Sequence, residues 1–364
     1  MSDDLIGRHD VLLADLDGTL YRGPSAVPGA VEAVRGAAER GVRTVYVTNN
    51  ASRRPSAVAE HLAELGFAAH TEDVVASSQA AAAMLADQLP AGARVLVVGA
   101  EALAVEVTGR GLRVVTRADE ADAVVQGHSP ETGWAQLAEA TVAVRAGALW
   151  VACNLDPTLP TERGPLPGNG AMVGVVRLAT GQEPQVAGKP APALLQEAAR
   201  RSGAQRPLMI GDRLDTDIEG GRAAGMATLL VLTGISDAAE LLAAPPAQRP
   251  DHIAADLAGL TARPEDLAPG PRPGWHVEVP GPGELVLAGD GNDPVDALRA
   301  LCAAHWAAGG GPVRVTGDGH SAGAALGGLG LTAPASATVA TGAEHTELEQ
   351  GLRAAGAKRR QPNP

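Results

Sequence analysis

The run Val11-Leu12-Leu13-Ala14-Asp15-Leu16-Asp17-Gly18-Thr19-Leu20 decides how this chain is read. Four apolar residues followed by two carboxylates at spacing two and a glycine predict a buried strand that delivers polar groups at its carboxyl end. Comparable runs recur at Arg43 to Val47, Val95 to Val98, Ala123 to Val125, Leu149 to Ala152, Leu208 to Ile210 and Thr228 to Leu232. Helix-like segments separate them, at Ala30 to Arg40, Arg54 to Leu65, Trp134 to Val144 and Pro192 to Arg201. This alternation predicts an α/β fold, Rossmann-like, with parallel sheets covered by helices. Ligands of such sheets gather beyond the carboxyl ends of the strands, so chemistry is sought there.

Thr48-Asn49-Asn50 follows the second run, and Gly211-Asp212 follows Leu208 to Ile210, with Asp215 and Asp217 close behind. Lys189, in Gly188-Lys189-Pro190, opens the helix before that strand. Asp15 can attack phosphorus and become an acyl phosphate. Asp17 can protonate the leaving oxygen and later take a proton from water. Gly18 permits a tight turn close to an anion. Several negative charges in one place need a hard cation. Asp15, Asp17 and Asp212 are therefore expected to hold Mg²⁺, which takes a few oxygen ligands plus waters. Lys189, the Thr48 hydroxyl, Asn49 and Asn50 are the expected phosphate ligands. Taken singly, D-x-D-G-T is often only a turn, Thr-Asn-Asn an Asx turn or helix cap, and Gly-Lys-Pro a helix start. Their joint occurrence in this order, at strand ends and a helix start, favours a site.

Composition narrows the partners. Of the 364 residues 45% are apolar, which supplies sizeable cores, yet there are one Phe, two Tyr and four Trp. Few aromatics and a net charge of −13 disfavour nucleic acid. Only two lysines occur, Lys189 and Lys358, among 29 basic residues, so a lysine inside a candidate site stands out. Cys153 and Cys302 lie too far apart for a metal-ligand spacing or a disulfide framework. No apolar run approaches the ~20 residues of a membrane span, and Met1 to Asp10 lacks a signal-peptide core. A cytoplasmic protein acting on a small phosphorylated metabolite is expected.

The stretch between Thr48 and Lys189 is too long for one crossover and carries strands and helices of its own. The expected organisation is a core of residues 1–77 plus 183–265, an inserted α/β unit at 78–182, and a linker at 266–274. A small α+β unit at 275–343 and a tail at 344–364 follow. In the C-terminal unit, Trp275 to Val279 and Glu284 to Leu287 read as a hairpin, Asp296 to Ala307 as an amphipathic helix and Pro312 to Thr316 as a strand. Gly317 to Gly323 is expected to be an inert turn, followed by a glycine-broken stretch at 324–328 of poor helix propensity. The apolar helix face is expected to pack on the core or on a second copy of the chain. Oligomeric state is not fixed by the sequence.

These residues resemble the four motifs of the haloacid dehalogenase superfamily of phosphohydrolases, from about residue 9 to 265. The resemblance implies a nucleophile at Asp15, an acid/base at Asp17, phosphate ligands at Thr48 and Lys189, a metal carboxylate at Asp212 and a supporting acid at Asp217. The stretches 48–53 and 154–161 are similar to the branch with a large α/β cap (subclass IIA, C2 type), which includes phosphoglycolate, 4-nitrophenyl phosphate and pyridoxal phosphate phosphatases. Residues 167–170 resemble that branch's cap loop; Asn154 and Asp156 leave the strand at Leu149 to Ala152 at its carboxyl end, and with Gly168 and Gly170 they are expected to form an edge that meets the substrate's leaving group. The likeness extends to actinobacterial glycerol 3-phosphate phosphatases, whose C-terminal region resembles a truncated acetyltransferase. It implies a Mg²⁺-dependent phosphomonoesterase of glycerol 3-phosphate, with phosphoglycolate as the alternative substrate. Rival readings are a phosphomutase, a phospho-accepting regulatory domain, and a binding or acyl-transfer role carried by the C-terminal unit.

Overall fold

A computed structural model describes residues 3–161 and 163–331; the expected tail at 344–364 and positions 332–343 lie outside them. The main sheet has six parallel strands, in the order His252–Ala254, Ala227–Val231, Pro207–Gly211, Val11–Ala14, Arg43–Thr48 and Val74–Ala76. Alternate residues of each strand serve opposite faces. Leu12 and Ala14 join Tyr46, Leu208 and Ile210 in one apolar cluster. Val11 and Leu13 join Val45, Val47 and Met209 in another. Burial on both faces is why the strands read as unbroken apolar runs. Ala14 lies opposite both Tyr46 and Ile210. The same edge of the sheet therefore carries Asp15, Thr48 and Asp212.

A second sheet has five parallel strands, in the order Gln185–Val186, Leu149–Ala152, Ala123–Gln126, Arg94–Val98 and Arg113–Val115. One cluster bridges the two sheets, with Val95, Val125 and Val151 packed in the group that holds Val45 and Met209. Helix Ser77–Gln88 contributes buried Ala80, Ala81 and Ala82 to that seam. Alanine lets a helix lie close between two layers, which suits a chain poor in aromatics. The far face packs Val124 and Trp150 against Leu137, Ala140, Val173 and Val176. Strand Gln185–Val186 pairs with Leu149–Ala152, so this sheet continues past residue 182 and ends three residues before Lys189.

The C-terminal unit pairs Trp275–Gly281 antiparallel with Glu284–Gly289, which runs parallel to Arg314–Asp318. Helix Pro294–Ala307 turns Leu298 and Leu301 onto Leu241, Leu242 and Ile253 of the main body. The expected packing against the core is thus present. Arg299, 6% exposed, donates from Nε and Nη2 to the carbonyl of Ile253 at 2.9 and 2.6 Å. The expectation of a non-helical stretch near 324–328 is corrected, because His320–Gly328 is an α-helix. Burial of Ala322, Ala325 and Leu326 outweighs the poor propensity of its glycines. Among the described residues no helix is long and apolar enough to cross a membrane.

Candidate active site

Lys189 is 3% exposed, and its ammonium is bracketed by carboxylates. Nζ donates to Asp15 Oδ1 at 2.5 Å and to Asp217 Oδ1 at 2.7 Å. Burial alone would depress the lysine, but Asp15 and Asp217 outweigh it and hold it charged. Burial pushes Asp15 up to about 6; Lys189 opposes that shift and the nearby charge of Asp212 adds to it. Asp212 and Asp217, fully buried or nearly so, are also raised, first by burial.

Carboxylate oxygens of Asp15, Asp212 and Asp217 lie within 4.8 Å of one another. Asp217 reaches this group through one wide helical turn, Leu214–Ile218. That turn brings its Oδ2 back to accept from the N–H of Arg213 at 3.1 Å. Asp212 accepts from Thr19 Oγ1 at 3.2 Å and from the N–H of Ile235 at 2.7 Å. Glycines make room for these side chains. A Cβ at Gly18 or Gly234 would run into the Asp212 carboxylate, and one at Gly211 into Asp217. Gly18 also has φ +88°, a region L side chains rarely adopt. Such a cradle, holding oxygen donors whose charges repel, fits a hard divalent cation.

Asp17 was expected among the metal carboxylates and Asp217 behind them. Among the described residues the structure gathers Asp217 with Asp15 and Asp212, and the Asp17 carboxylate is not in that group. Asp17 instead shares a hydrogen bond with Tyr21 and feels Arg53 and His61; burial, its largest influence, raises it. Tyr21 stacks edge-on against His61, with ring centroids 5.1 Å apart. Thr48 is 6% exposed, and its Oγ1 accepts from the N–H of Asn50 at 3.1 Å, leaving its own hydroxyl hydrogen to donate.

The amides and glycines expected to bind substrate are mostly committed elsewhere. Asn49 Oδ1 accepts from the N–H of Lys189 at 2.8 Å, and its Nδ2 donates to the Lys189 carbonyl at 3.0 Å. Its side chain is therefore not a phosphate donor, and the backbone is the route that remains. Asn50 Oδ1 accepts from the N–H and hydroxyl of Ser52 at 2.9 and 2.7 Å, an Asx turn. Asn154, 4% exposed, donates from Nδ2 to the Asn49 carbonyl at 2.7 Å and accepts from the N–H of Asp156 at 3.2 Å. Gly168 and Gly170 meet protein backbone: a Cβ at either would strike Asp156 or Leu155. Of the expected residues in this loop, Asp156 faces the site. Its Oδ2 accepts from Asn49 Nδ2 at 3.3 Å, and burial raises its carboxyl against the pull of Arg213 and Lys189.

Thr19, Tyr21, Arg213, Gly234 and Ile235 escaped the sequence reading. Thr19 belongs to the opening run and Tyr21 follows it, and Gly234-Ile235 follows strand Ala227–Val231, so a search of strand ends reaches them.

Residues 12–113 match the family Haloacid dehalogenase-like hydrolase, and 186–260 the related HAD-hydrolase-like family. Residues 272–331 match the GCN5-related N-acetyltransferase like domain. The chain is 52% identical over 309 residues to the D-glycerol 3-phosphate phosphatase of Mycobacterium tuberculosis, covering 82% of this chain and 86% of that protein. It is 39% identical over 231 residues to the acid sugar phosphatase of Staphylococcus aureus, covering 63% of this chain and 88% of the other. The crystal structure of glycerol phosphate phosphatase from M. tuberculosis in complex with magnesium superposes with a TM-score of 0.86 at 51% identity, over 91% of this chain and 100% of that one.

Proposed function

We propose, from the premise that this chain belongs to the haloacid dehalogenase-like hydrolases, that it hydrolyses glycerol 3-phosphate through an aspartyl phosphate on Asp15. The observation that carries this reading is the buried ammonium of Lys189 between Asp15 and Asp217, with Asp212 in the same carboxylate group. The preference for glycerol 3-phosphate over phosphoglycolate comes from the mycobacterial phosphatase that this chain resembles over most of its length.

The residues divide the work as follows. Asp15 attacks phosphorus as the ester P–O bond breaks, and Asp17 gives its proton to the departing glycerol oxygen. Asp17 then takes a proton from water; the water oxygen bonds to phosphorus, the acyl phosphate P–O bond breaks, and Asp15 is regenerated. Lys189 and the Thr48 hydroxyl hold the phosphoryl oxygens. Asp15, Asp212 and Asp217 would hold Mg²⁺, which when bound neutralises their charge and that of the phosphoryl group. The inserted unit acts as a cap, and Asp156 on its edge reads the leaving group. Residues 272–331 act as a packing unit. A cytoplasmic location suits a free small-molecule substrate.

Phosphate release from a panel of esters in the presence of Mg²⁺ tests the proposal. Glycerol 3-phosphate should have the highest kcat/KM. A higher value for phosphoglycolate would reassign the substrate, and no release from any ester would overturn the reading.

A further inference from the structure

Three asparagines connect the second sheet to the lysine of the site. At the far end, Asn169 Nδ2 donates to the Gln126 carbonyl at 3.2 Å and to the Asn154 carbonyl at 2.7 Å. Asn154 Nδ2 donates to the Asn49 carbonyl at 2.7 Å, and Ser77 Oγ donates to the same oxygen at 2.6 Å. The Asn49 side-chain amide then grips Lys189 by both its N–H and its carbonyl. Asn49 lies 140 residues from Lys189 and 105 from Asn154, so the three meet only in the finished fold.

Burial makes this line of contacts specific. Asn154 is 4% and Asn169 1% exposed, and a buried amide that loses its partner is costly. Gly188 completes the fit. A Cβ there would meet Asn49 Oδ1 at 2.6 Å and would also crowd the Cys153 carbonyl. The chain can thus bring Lys189 against Asn49 only with glycine before it. Lys189 itself stands between the last strand of the second sheet, Gln185–Val186, and helix Ala193–Ser202, which packs on the main sheet. The lysine backbone is held at the seam of the two sheets, and the amide grip of Asn49 fixes it there.

We infer that Asn49, Asn154 and Asn169 are positioning residues for Lys189, forming a relay through which the seating of the cap sets where the ammonium stands. This deepens the phosphatase reading and rests on it. Asn49 acts through the lysine and does not touch the phosphoryl group with its side chain. When the cap is displaced, Asn154 leaves the Asn49 carbonyl, the grip on Lys189 loosens, and the ammonium loses its register with Asp15. The relay thereby makes turnover conditional on a seated cap.

A double-mutant cycle tests this, with Asn49→Ala, Lys189→Ala and the double variant assayed on 4-nitrophenyl phosphate with Mg²⁺. Asn49→Ala should lower kcat on the order of 100-fold, as expected for a catalytic group moved by about 1 Å, with KM little changed. In the Lys189→Ala background the same substitution should cost less than about threefold, because its target is gone. Equal losses in both backgrounds would overturn the inference, as would undiminished kcat in Asn49→Ala. Asn154→Ala, which touches only backbone of Asn49 and Asp156 and spares the grip itself, repeats the cycle if Asn49→Ala fails to fold. A crystal structure of the same variant separates the two claims. If Lys189 Nζ has left Asp15 while wild-type protein releases no phosphate from any ester, the relay stands and the phosphatase reading falls. If Nζ keeps its contacts and wild type is active, the relay falls alone.

Discussion

The ammonium of Lys189 and the carboxylate of Asp15 lie 2.5 Å apart in a site where Lys189 is 3% exposed. A cation so placed keeps Asp15 poised as a nucleophile although burial raises its carboxyl. Asp15→Asn should therefore keep the fold and lose at least about a thousandfold in kcat. Circular dichroism and phosphate release check both halves.

Asp17 predicts a different signature, because its carboxyl is raised by burial and stands apart from the Asp15–Asp212–Asp217 group. 4-Nitrophenolate leaves without a proton, whereas glycerol needs one. Asp17→Asn should lose glycerol 3-phosphate turnover by about 100-fold or more. With 4-nitrophenyl phosphate it should give a burst near one equivalent followed by slow turnover, read by stopped-flow absorbance. A linear, burst-free trace would argue against Asp17 as the base of the second step.

Lys189→Arg keeps the charge and changes the shape. The guanidinium is a planar fork, whereas the compact ammonium bonds both Asp15 and Asp217, and a Cβ built at Gly220 would lie 3.5 Å from the lysine stem. A loss of kcat/KM on the order of 100-fold is expected. Near-normal kinetics would show that charge alone suffices.

Gly234→Ala tests the glycine cradle without removing a ligand. Its Cβ would collide with the Asp212 carboxylate, which also accepts from the N–H of Ile235. Activity titrated with Mg²⁺ should show a requirement raised roughly tenfold or more, about 1.4 kcal/mol of lost affinity. An unchanged titration would place the cation elsewhere.

The raised carboxyls also set a pH dependence. Asp15 is pushed up to about 6 from an ordinary value near 4, so without metal the folded state binds more protons than the unfolded state between these values. Stability of the metal-free protein then falls as pH rises through that window, and the loss is complete above it. Mg²⁺ should raise Tm more at pH 7.5 than at pH 5, measured by calorimetry in EDTA and in Mg²⁺.

Much of the main sheet and the acidic cluster was legible because strand ends carry their polar residues in short, ordered runs. Asp15 and Asp212 each follow a buried strand directly, and Thr48 ends one. The place of Asp217 was less legible, since only the wide turn at Leu214–Ile218 brings its carboxylate round. Asn49 was expected to donate through backbone or side chain, and sequence could not separate the two, because its side chain is claimed by a backbone 140 residues away, a distance no local pattern spans. The short strands Val74–Ala76, Arg113–Val115 and Gln185–Val186 offer too few residues for a period. The helix His320–Gly328 exists through packing that overrides its glycines.

The central strand Val11–Ala14 finds one of its two neighbours, Pro207–Gly211, only across a long stretch of chain, with Gln205 bonding Asp10 over 195 residues. On a ribosome adding roughly 5–20 residues per second, that partner arrives about 10–40 seconds after the strand. During this wait Val11 to Ala14 has one open edge, while the second sheet can gather most of its strands. Leu241 and Leu242 close later still, once the helix that carries Leu298 and Leu301 has emerged. The order of synthesis thus makes the most buried part of the site among the last to close, and leaves the nascent chain dependent on protection of its first strand.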